Sequence, residues 1–305
     1  MTGRSLFAMS TTPSSGQPVT VVTGANSGIG RATAIHLASV GHHVVGTVRS
    51  LDRAVKLNTM AADAGVEVDL VIADVADDVS VANGFDEIFS RAGRVDHLVN
   101  NAGVGGNAVV EECPSELYLD VMNVNLCGVT RCTQAVLPQM RERGSGTIVN
   151  VTSVVGRLAA LAQSPYVASK WALEGVSEEL AQELAPFGIR VAIVEPGVTK
   201  SAIFAKNIDA PNSTAAYETH YRRMFQMYAA GMANATDPFE VGRVIEHAIT
   251  TDDPQLRYPV SWAGAEMAAL HDRIDDADWI GLGAIEDDVD YIDRFREIFG
   301  VDIST

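Results

Sequence analysis

Short, almost wholly apolar segments alternate with longer helical patterns along most of the chain. Segments that are apolar on both faces are typical of parallel strands in a sheet that helices cover on both sides. The helical patterns between them include an alanine-rich stretch closed by Gly41 and a start signal at Asp237-Pro238. The apolar segments lie at residues 19–22, 44–48, 68–73, 98–99, 147–151, 191–194 and 257–260.

No linker rich in Pro, Gly or Ser interrupts this alternation before Glu195. A chain of 305 residues could form one large domain or two small ones. Because the alternation is continuous, the pattern favours one α/β domain. The hydrophobic share of 47% is ample for the core of such a domain.

A glycine-rich turn separates the first apolar segment from the first helical pattern. Gly24, Gly28 and Gly30 stand where a dinucleotide site needs a tight turn and a close approach of the backbone to a pyrophosphate. The following helix N-terminus would present unpaired N–H groups to the anion. No Gly-Lys-Ser/Thr follows, which excludes a Walker A loop. Taken alone, the segment also fits a merely flexible turn.

Tyr166 and Lys170 are four residues apart and therefore share one face of a predicted helix. An ammonium beside a phenol stabilises the phenolate and lowers the pKa of the tyrosine toward neutrality. Ser164 is predicted as the N-cap of this helix and Pro165 as its first residue. Ser153 follows the apolar segment 147–151, at a strand's carboxyl end. A lone Tyr-x-x-x-Lys is more often a surface pair, so the rest of the chain must decide.

Taken together, the motifs make the chain resemble the short-chain dehydrogenase/reductase family, in its single-domain branch. The resemblance runs from about Val19 to about Thr199, and the part beyond it resembles the steroid and retinol dehydrogenases. It implies an α/β fold: a doubly wound, seven-stranded, mainly parallel sheet (Rossmann fold) in the order 3-2-1-4-5-6-7, with a helical substrate lid. The motifs are Thr23-Gly24-x-x-x-Gly28-x-Gly30, Asn100-Asn101-Ala102-Gly103, Asn125, Ser153, Tyr166-x-x-x-Lys170 and Pro196-Gly197.

The resemblance assigns catalytic roles to four residues. Tyr166 is the expected general acid/base on the substrate oxygen, and Ser153 is expected to hydrogen-bond the same oxygen. Lys170 is expected to lower the pKa of Tyr166 and to hold the nicotinamide ribose. Asn125, in the helical pattern at residues 117–140, is expected to hold a water that links Lys170 to solvent.

The same resemblance places the remaining site residues around a nicotinamide dinucleotide. They are Gly24, Asn26, Ser27, Gly28, Ile29 and Gly30 at the pyrophosphate; Asp74 and Val75 at the adenine; Asn101, Ala102 and Gly103 on the adenosine-ribose side; and Pro196, Gly197, Val198 and Thr199 at the nicotinamide, with Tyr166 and Lys170 beside its ribose.

The end of the second predicted strand favours NADP over NAD. NAD enzymes usually carry an acidic residue there, about twenty residues after the glycines, which accepts from the ribose hydroxyls. This chain has Val48 followed by Arg49 and Ser50, and an arginine can bind a 2′-phosphate. Ser27 departs from the basic residue of many NADP-dependent relatives. NAD therefore remains the alternative cofactor. Arg49 could also be an ordinary charged residue on the surface.

Composition suggests how the chain is divided. Residues 1–18 are rich in Ser, Thr and Pro and are expected to form a disordered leader, with Met9 as an alternative start. Residues 19–262 are expected to form the Rossmann-fold domain. Residues 263–305 form an acidic C-terminal extension, which is expected to make subunit contacts or to shield the site.

Within the domain, residues at about 200–235 are expected to form the substrate lid. Apolar and aromatic side chains recur there with helical spacing, at positions 217, 221, 224, 225 and 228. Such a stripe ordinarily packs in a core. The family resemblance turns it into the wall of a flexible, apolar substrate pocket.

Charge and cysteine usage narrow the partners. A net charge of −17 argues against a nucleic-acid or anionic-membrane partner. No apolar run reaches the ~18 residues of a membrane span. Three cysteines without Cys-x-x-Cys spacing fit reduced thiols in a cytoplasmic protein, and no histidine spacing indicates a metal.

These observations predict an NAD(P)-dependent short-chain dehydrogenase/reductase. It would transfer hydride between NADP(H), or alternatively NAD(H), and an apolar ketone or secondary alcohol, through a Ser-Tyr-Lys-Asn site. The alternative is a catalytically idle nucleotide-binding sensor or scaffold with the same fold. A homodimer or homotetramer is expected, paired through the long helices that carry Asn125 and Tyr166.

Overall fold

One parallel sheet organises the protein. The computed structural model describes residues 13–201, 210–270 and 273–304. Within them the sheet has seven strands in the order β3-β2-β1-β4-β5-β6-β7. The predicted doubly wound sheet and its order are confirmed, and all six pairings are parallel. The strands are β1 (Val19–Thr23), β2 (His43–Val48), β3 (Asp69–Ile72), β4 (His97–Asn100), β5 (Gly146–Val151), β6 (Ile189–Pro196) and β7 (Arg257–Val260).

The helices of the described residues alternate with these strands and continue beyond the last of them. They are α1 (Gly28–Ser39), α2 (Val55–Asp63), α3 (Asp78–Ala92), α4 (Ser115–Met122), α5 (Gly128–Arg143), α6 (Ser164–Leu184), α7 (Glu218–Ala233), α8 (Pro238–Thr250), α9 (Gly264–Leu270), α10 (Asp276–Ala284) and α11 (Asp288–Phe299).

Helices cover both faces of the sheet, which is why the strands are apolar on both sides. Val22 of β1 packs in a buried cluster that includes Leu37 of α1. Its neighbour Val21 points to the opposite face, in a cluster with Phe85 of α3 and Val136 of α5. Successive residues of a strand alternate between faces, so one strand contributes to both cores.

The predicted long helix at residues 117–140 is interrupted. A wider π turn at Asn123–Cys127 joins α4 to α5. Because the helical pattern continues through the turn, no feature of the sequence marks it. Such turns re-aim a side chain within a helix, and here the residue at its centre is the fully buried Asn125.

The C-terminal helices pack beside the carboxyl ends of the strands. Leu282 of α10 and Phe295 and Phe299 of α11 are buried in one apolar cluster. That cluster also holds Val154, just beyond β5, and Ala230 of the helix α7. The extension is therefore part of the protein's apolar core at this end of the sheet.

Two expectations fall partly outside the described residues. Residues 1–12 of the predicted leader and residues 202–209 of the predicted lid are not described. The described part of the predicted lid contains α7. Among the helices that are described, none is long and apolar enough to cross a lipid bilayer.

Candidate active site

A cavity of about 490 Å³ opens at the carboxyl ends of the strands. Residues that follow β1 to β6 line it, together with side chains of α7 and α9. In a doubly wound sheet this edge, where the strand order reverses, is the usual place for a ligand. The cavity brings together all the predicted site residues except Gly30 and Asn125, which lie behind its wall.

The glycine-rich turn has the geometry of a phosphate cradle. Gly24 and Gly28 have positive φ values of +68° and +53°. A Cβ atom on Gly30 would lie 2.3 Å from Asn101 Nδ2 and 2.6 Å from Gly24 O, so no larger residue fits there. The N-cap residue of α1, Ser27, makes no side-chain capping bond. The first N–H groups of α1 are therefore available to an anion in the cavity.

The β4 end is tied to β1 through Thr23. The backbone N–H groups of Asn101 and Ala102 both donate to Thr23 Oγ1 at 3.0 Å. Asn101 Nδ2 donates to Thr23 O at 2.9 Å. Asn101 thus uses its side-chain amide to hold two strand ends together, and it lines the cavity beside Ala102 and Gly103.

Asp74 and Val75 line the same cavity together with Arg49, which follows β2. Asp74 is held in place locally, because its Oδ1 accepts from the N–H of Ala76 at 3.1 Å. Arg53, which no sequence motif marked, also lines this cavity. Two guanidinium groups therefore stand near the place predicted for the adenosine ribose.

Ser153, Tyr166 and Lys170 converge on the middle of the cavity. Lys170 Nζ donates to Val151 O at 3.0 Å and lies 5.7 Å from the centre of the Tyr166 ring. Ser153 Oγ donates to Pro196 O at 3.3 Å and also reaches the Tyr166 hydroxyl. The three polar groups come from the end of β5 and the first turns of α6.

The start of α6 differs by one residue from the prediction. The N-cap is Gln163, and Ser164 is the first residue of the helix. Ser164 does not cap because its hydroxyl donates instead to Ala108 O, at 2.8 Å. Pro165 does lie in the first turn, where its missing N–H costs no hydrogen bond.

Asn125 binds protein groups on both sides of its amide. Its Oδ1 accepts from the N–H of Val104 at 2.8 Å, and its Nδ2 donates to Val104 O and to Ser169 Oγ, each at 2.9 Å. The side chain therefore joins the β4–α4 loop to α6. This anchoring was not foreseen, because the π turn that aims the amide leaves no mark in the sequence pattern.

Burial dominates the protonation of the two titratable groups. It raises the pKa of Tyr166 to about 12, against a smaller lowering by the Ser153 hydrogen bond. It lowers the pKa of Lys170 to about 8, and the charge of Glu174 opposes that shift. The direction for Tyr166 is opposite to the one expected from Lys170, because the loss of solvation dominates.

Several charged residues behind the site were missed from the sequence. Glu174 lies one turn after Lys170 on α6, and Glu195 is the residue before Pro196; both carboxyl groups are almost fully buried. Arg257 of β7 contacts both, at 3.1 Å and 3.4 Å from its Nε. The spacing of Glu174 from Lys170 was the one available signal, since Arg257 is 83 residues away.

Comparisons with known proteins identify the family. A profile of the short chain dehydrogenase family matches residues 18–212. The chain belongs to this family. An uncharacterised oxidoreductase of Bacillus subtilis is 35% identical over 249 residues, which cover 79% of this chain and 88% of that protein.

Two further relatives of this short-chain dehydrogenase are informative. The 3-ketodihydrosphingosine reductase of Bacteroides thetaiotaomicron is 33% identical over 245 residues, 79% of this chain and 87% of that one. The crystal structure of a short-chain dehydrogenase from Streptomyces avermitilis has a TM-score of 0.77 and 33% identity, covering 89% of this chain and all of that chain.

These findings confirm the predicted family and fold, and with them an NAD(P)-dependent dehydrogenase or reductase. Solved relatives of this short-chain dehydrogenase include complexes with NADPH, with NADP and with NAD. The narrower resemblance to steroid and retinol dehydrogenases stays a prediction.

Proposed function

We propose that this short-chain dehydrogenase reduces an apolar ketone, or oxidises the matching secondary alcohol, with NADP(H) as the hydride carrier. The observation that carries the proposal is the convergence of Ser153, Tyr166 and Lys170 in one cavity with a glycine cradle. The hydride exchanged at the nicotinamide is the chemistry that the cofactor supplies when bound. The protein's part is to orient substrate and cofactor and to exchange one proton.

Tyr166 is proposed as the acid that protonates the substrate oxygen. Since burial keeps its pKa near 12, the phenol is protonated at neutral pH, which is the form a ketone reduction needs. Ser153 would donate a second hydrogen bond to the same oxygen and stabilise the negative charge that develops on it. Lys170, still largely charged near neutral pH, would favour the phenolate left after proton transfer.

Asn125 is proposed as a supporting residue of this group. It fixes the loop at Val104 against Ser169 of α6, one residue before Lys170. The proposal that it holds a water beside Lys170 rests on family resemblance.

The cofactor is proposed to lie along the cavity. Its pyrophosphate would rest on Gly24, Gly28 and the N-terminus of α1, where a Cβ on Gly30 would collide with the turn. Its nicotinamide would face Pro196–Thr199, whose members all line the cavity. A preference for NADP is proposed because Arg49 stands beyond β2 where an acid would bind the two ribose hydroxyls of NAD.

We propose that the substrate faces the apolar part of the cavity lining. Val155, Met227, Trp262 and Met267 belong to it. Gln163 also lines the cavity, is 9% exposed, and its amide makes no hydrogen bond to any described residue. We therefore propose a ketone with an apolar chain and a second polar group. The name of the 3-ketodihydrosphingosine reductase relative supports a substrate of that kind.

Location and assembly complete the proposal. The three cysteines are unpaired, which fits a reducing compartment, and we propose a cytoplasmic enzyme. We also propose residues 19–262 as the catalytic domain, residues 200–235 as its lid and a homo-oligomeric assembly.

A panel of ketones and alcohols tests the proposed function, with nicotinamide absorbance as the measurement. Apolar ketones with and without a second oxygen should be included, each with NADPH and NADH. We expect the wild-type protein to turn over an apolar ketone and Tyr166→Phe to lose this activity. Binding of the cofactor without turnover of any compound in the panel would favour the idle sensor or scaffold instead.

A further inference from the structure

A buried carboxyl group lies directly behind Lys170. Glu174 is 5% exposed and follows Lys170 by one turn of α6. Its Oε2 accepts from Arg257 Nε at 3.1 Å, while its Oε1 is buried without a hydrogen bond to any described residue. A buried carboxylate with an unpaired oxygen is costly, so its position calls for an explanation beyond simple packing.

A purely structural ion pair does not explain Glu174. Arg257 already has an exposed partner one turn further along α6, because its Nη2 donates to Glu178. An exposed pair would tie β7 to α6 without removing a carboxylate from water. The chain nevertheless places a second acid at the buried position next to the site.

The position of Glu174 is also fixed from the side of the cavity. A Cβ atom on Gly156 would come within 3.0 Å of both Glu174 Cγ and Lys170 O. The turn after β5 therefore packs closely against both residues. Thr152, in the same segment, donates its hydroxyl proton to Val194 O at 3.2 Å, so it leaves the free oxygen of the carboxylate unpaired.

The other charged and titratable groups around Lys170 come from five elements. Tyr166 is on its own helix, and Tyr228 of α7 lies close enough to Tyr166 to interact with it. Arg157 follows the turn after β5. Glu195 of β6 lies 3.7 Å from Arg157 and 3.4 Å from Arg257 of β7.

Two of these groups, Arg157 and Arg257, are cations in the same buried region. Like charges disfavour the protonated form of Lys170. Glu195 offsets these cations only in part, because its pKa is raised to about 7 and it is partly protonated near neutral pH. Burial raises the pKa of Glu174 as well, but the direct contact with Arg257 at 3.1 Å opposes that shift and favours the ionised form. It is therefore the acid placed to offset the cations.

We propose that Glu174 is a positioning residue whose carboxylate keeps the Lys170 ammonium charged in its buried site. The proposal deepens the proposed function, since it rests on Lys170 acting as a cation beside Tyr166. Burial alone would discharge the lysine as the pH rises, and a negative charge one turn away delays that loss. The acid and the lysine need not touch, because a low dielectric preserves attraction beyond contact distance.

The composition of the chain makes a direct test possible. The sequence contains four lysines, Lys56, Lys170, Lys200 and Lys206. Protein labelled with [ε-¹³C]lysine should give four side-chain signals, and Lys170→Arg identifies the one of interest. Its chemical shift followed against pH yields the pKa of Lys170 without any turnover, so this test is independent of the proposed function.

In the wild-type protein we expect this lysine to titrate near pH 8. Glu174→Gln should lower its pKa by roughly one unit, the usual effect of losing a nearby opposite charge. Glu174→Asp, which keeps the charge, should lie between the two. Glu178→Gln is the matched control, because it removes an acid that binds the same Arg257 from the same helix; it should leave the Lys170 pKa unchanged.

Glu174→Met fills a similar volume without a polar group and replaces Glu174→Gln if that variant does not fold. The same downward shift is expected. An unchanged Lys170 pKa in either variant, or an equal shift in Glu178→Gln, would overturn the proposal. Activity supplies a second readout: kcat of Glu174→Gln should begin to fall about one pH unit earlier than that of the wild type as the pH rises.

Discussion

The phenol of Tyr166 shows how far a single residue's chemistry depends on its surroundings. Its place one turn into α6 follows from the motif, but its protonation follows from burial, which no spacing reveals. The chain thus holds a proton donor at the middle of the cavity, beside the hydroxyl of Ser153.

Tyr166→Phe removes that donor and leaves the ring. We expect the fold and cofactor affinity to persist and kcat to fall by ~10²–10⁴-fold, the usual contribution of general acid catalysis. Steady-state turnover of the best ketone, with calorimetric cofactor titration as the control, measures this. A variant with nearly wild-type kcat would remove Tyr166 from the mechanism.

Arg49 is expected to set the cofactor preference. A charge-assisted contact with the 2′-phosphate contributes roughly 1.5–3 kcal/mol, or about ten- to hundredfold in Kd. Arg49→Ala should lose that preference, and Val48→Asp should reverse it by placing a like charge beside the phosphate. Calorimetry with each cofactor tests this. If Arg53→Ala loses NADP(H) affinity and Arg49→Ala does not, the phosphate is bound by Arg53 instead.

Glu195 should make stability depend on pH. Its folded-state pKa is raised to about 7, above the ordinary value of about 4.3. The contribution of the protonated Glu195 to stability is therefore fully present below about pH 4 and is lost as the pH rises to 7. The side chain in Glu195→Gln cannot ionise. As the pH rises across that interval, the free energy of unfolding of this variant should therefore increase relative to that of the wild type by on the order of 3 kcal/mol.

Denaturant unfolding at several pH values measures this difference. Glu178→Gln, which removes an exposed partner of Arg257, is the control. Its free energy of unfolding should depend on pH in the same way as that of the wild type. A constant offset between Glu195→Gln and the wild type would contradict the prediction.

Residues of the site were predictable where a local motif marks them. Ser153, Tyr166 and Lys170 were found in this way, and the cavity brings them together. Arg257 and Glu195 were not, because charge pairs between β6, β7 and α6 form only when the strands are ordered in the sheet. The sign of the Tyr166 shift was missed for the same reason, since burial is a property of the whole fold.

At the scale of elements, local patterns predicted the strands and the glycine-rich turn, and the family resemblance supplied the strand order. The π turn at Asn123–Cys127 was not, since a helix and a π turn of this length present the same apolar residues. The docking of the C-terminal helices was equally hidden. It depends on Arg223 of α7, a charged residue that is only 4% exposed.

Arg223 holds the extension by several contacts at once. Its Nη2 donates to Ile285 O at 2.8 Å and to Glu286 O at 3.2 Å, and its guanidinium lies 4.0 Å from the centre of the Tyr291 ring. Its Nε also donates to Asp288 Oδ1 at 3.2 Å. The group therefore joins α7 to α11 and to the segment that precedes it.

Arg223→Ala should release α10 and α11 from α7. We expect a loss of roughly 3 kcal/mol in stability, since Asp288 and the carbonyl groups of Ile285 and Glu286 lose a buried, charged donor. Amide hydrogen exchange should become faster across residues 276–299. Arg222→Ala removes an exposed arginine that pairs with the same Asp288, and should cost no more than ~1 kcal/mol. Equal effects of the two substitutions would show that Arg223 does not anchor the extension.

At the scale of the whole molecule, the described residues leave apolar side chains exposed on the helices predicted to pair subunits. Leu119 of α4 is 69% exposed and Trp171 of α6 is 43% exposed. Single exposed apolar residues are ordinary, but these two lie on helices that pack against each other. A self-complementary patch on one surface suits a two-fold axis.

We therefore expect a homodimer or a dimer of dimers that buries this patch. Light scattering at micromolar concentration should give at least twice the monomer mass of 32.4 kDa. Leu119→Glu combined with Trp171→Glu should shift the mass toward the monomer, because two buried like charges at a symmetric contact face their copies. Val55→Glu changes an equally exposed apolar residue on α2, on the opposite face of the sheet, and should leave the mass unchanged. A wild-type monomer would contradict the expected oligomer. A double variant with unaltered mass would show that the subunit contact lies elsewhere.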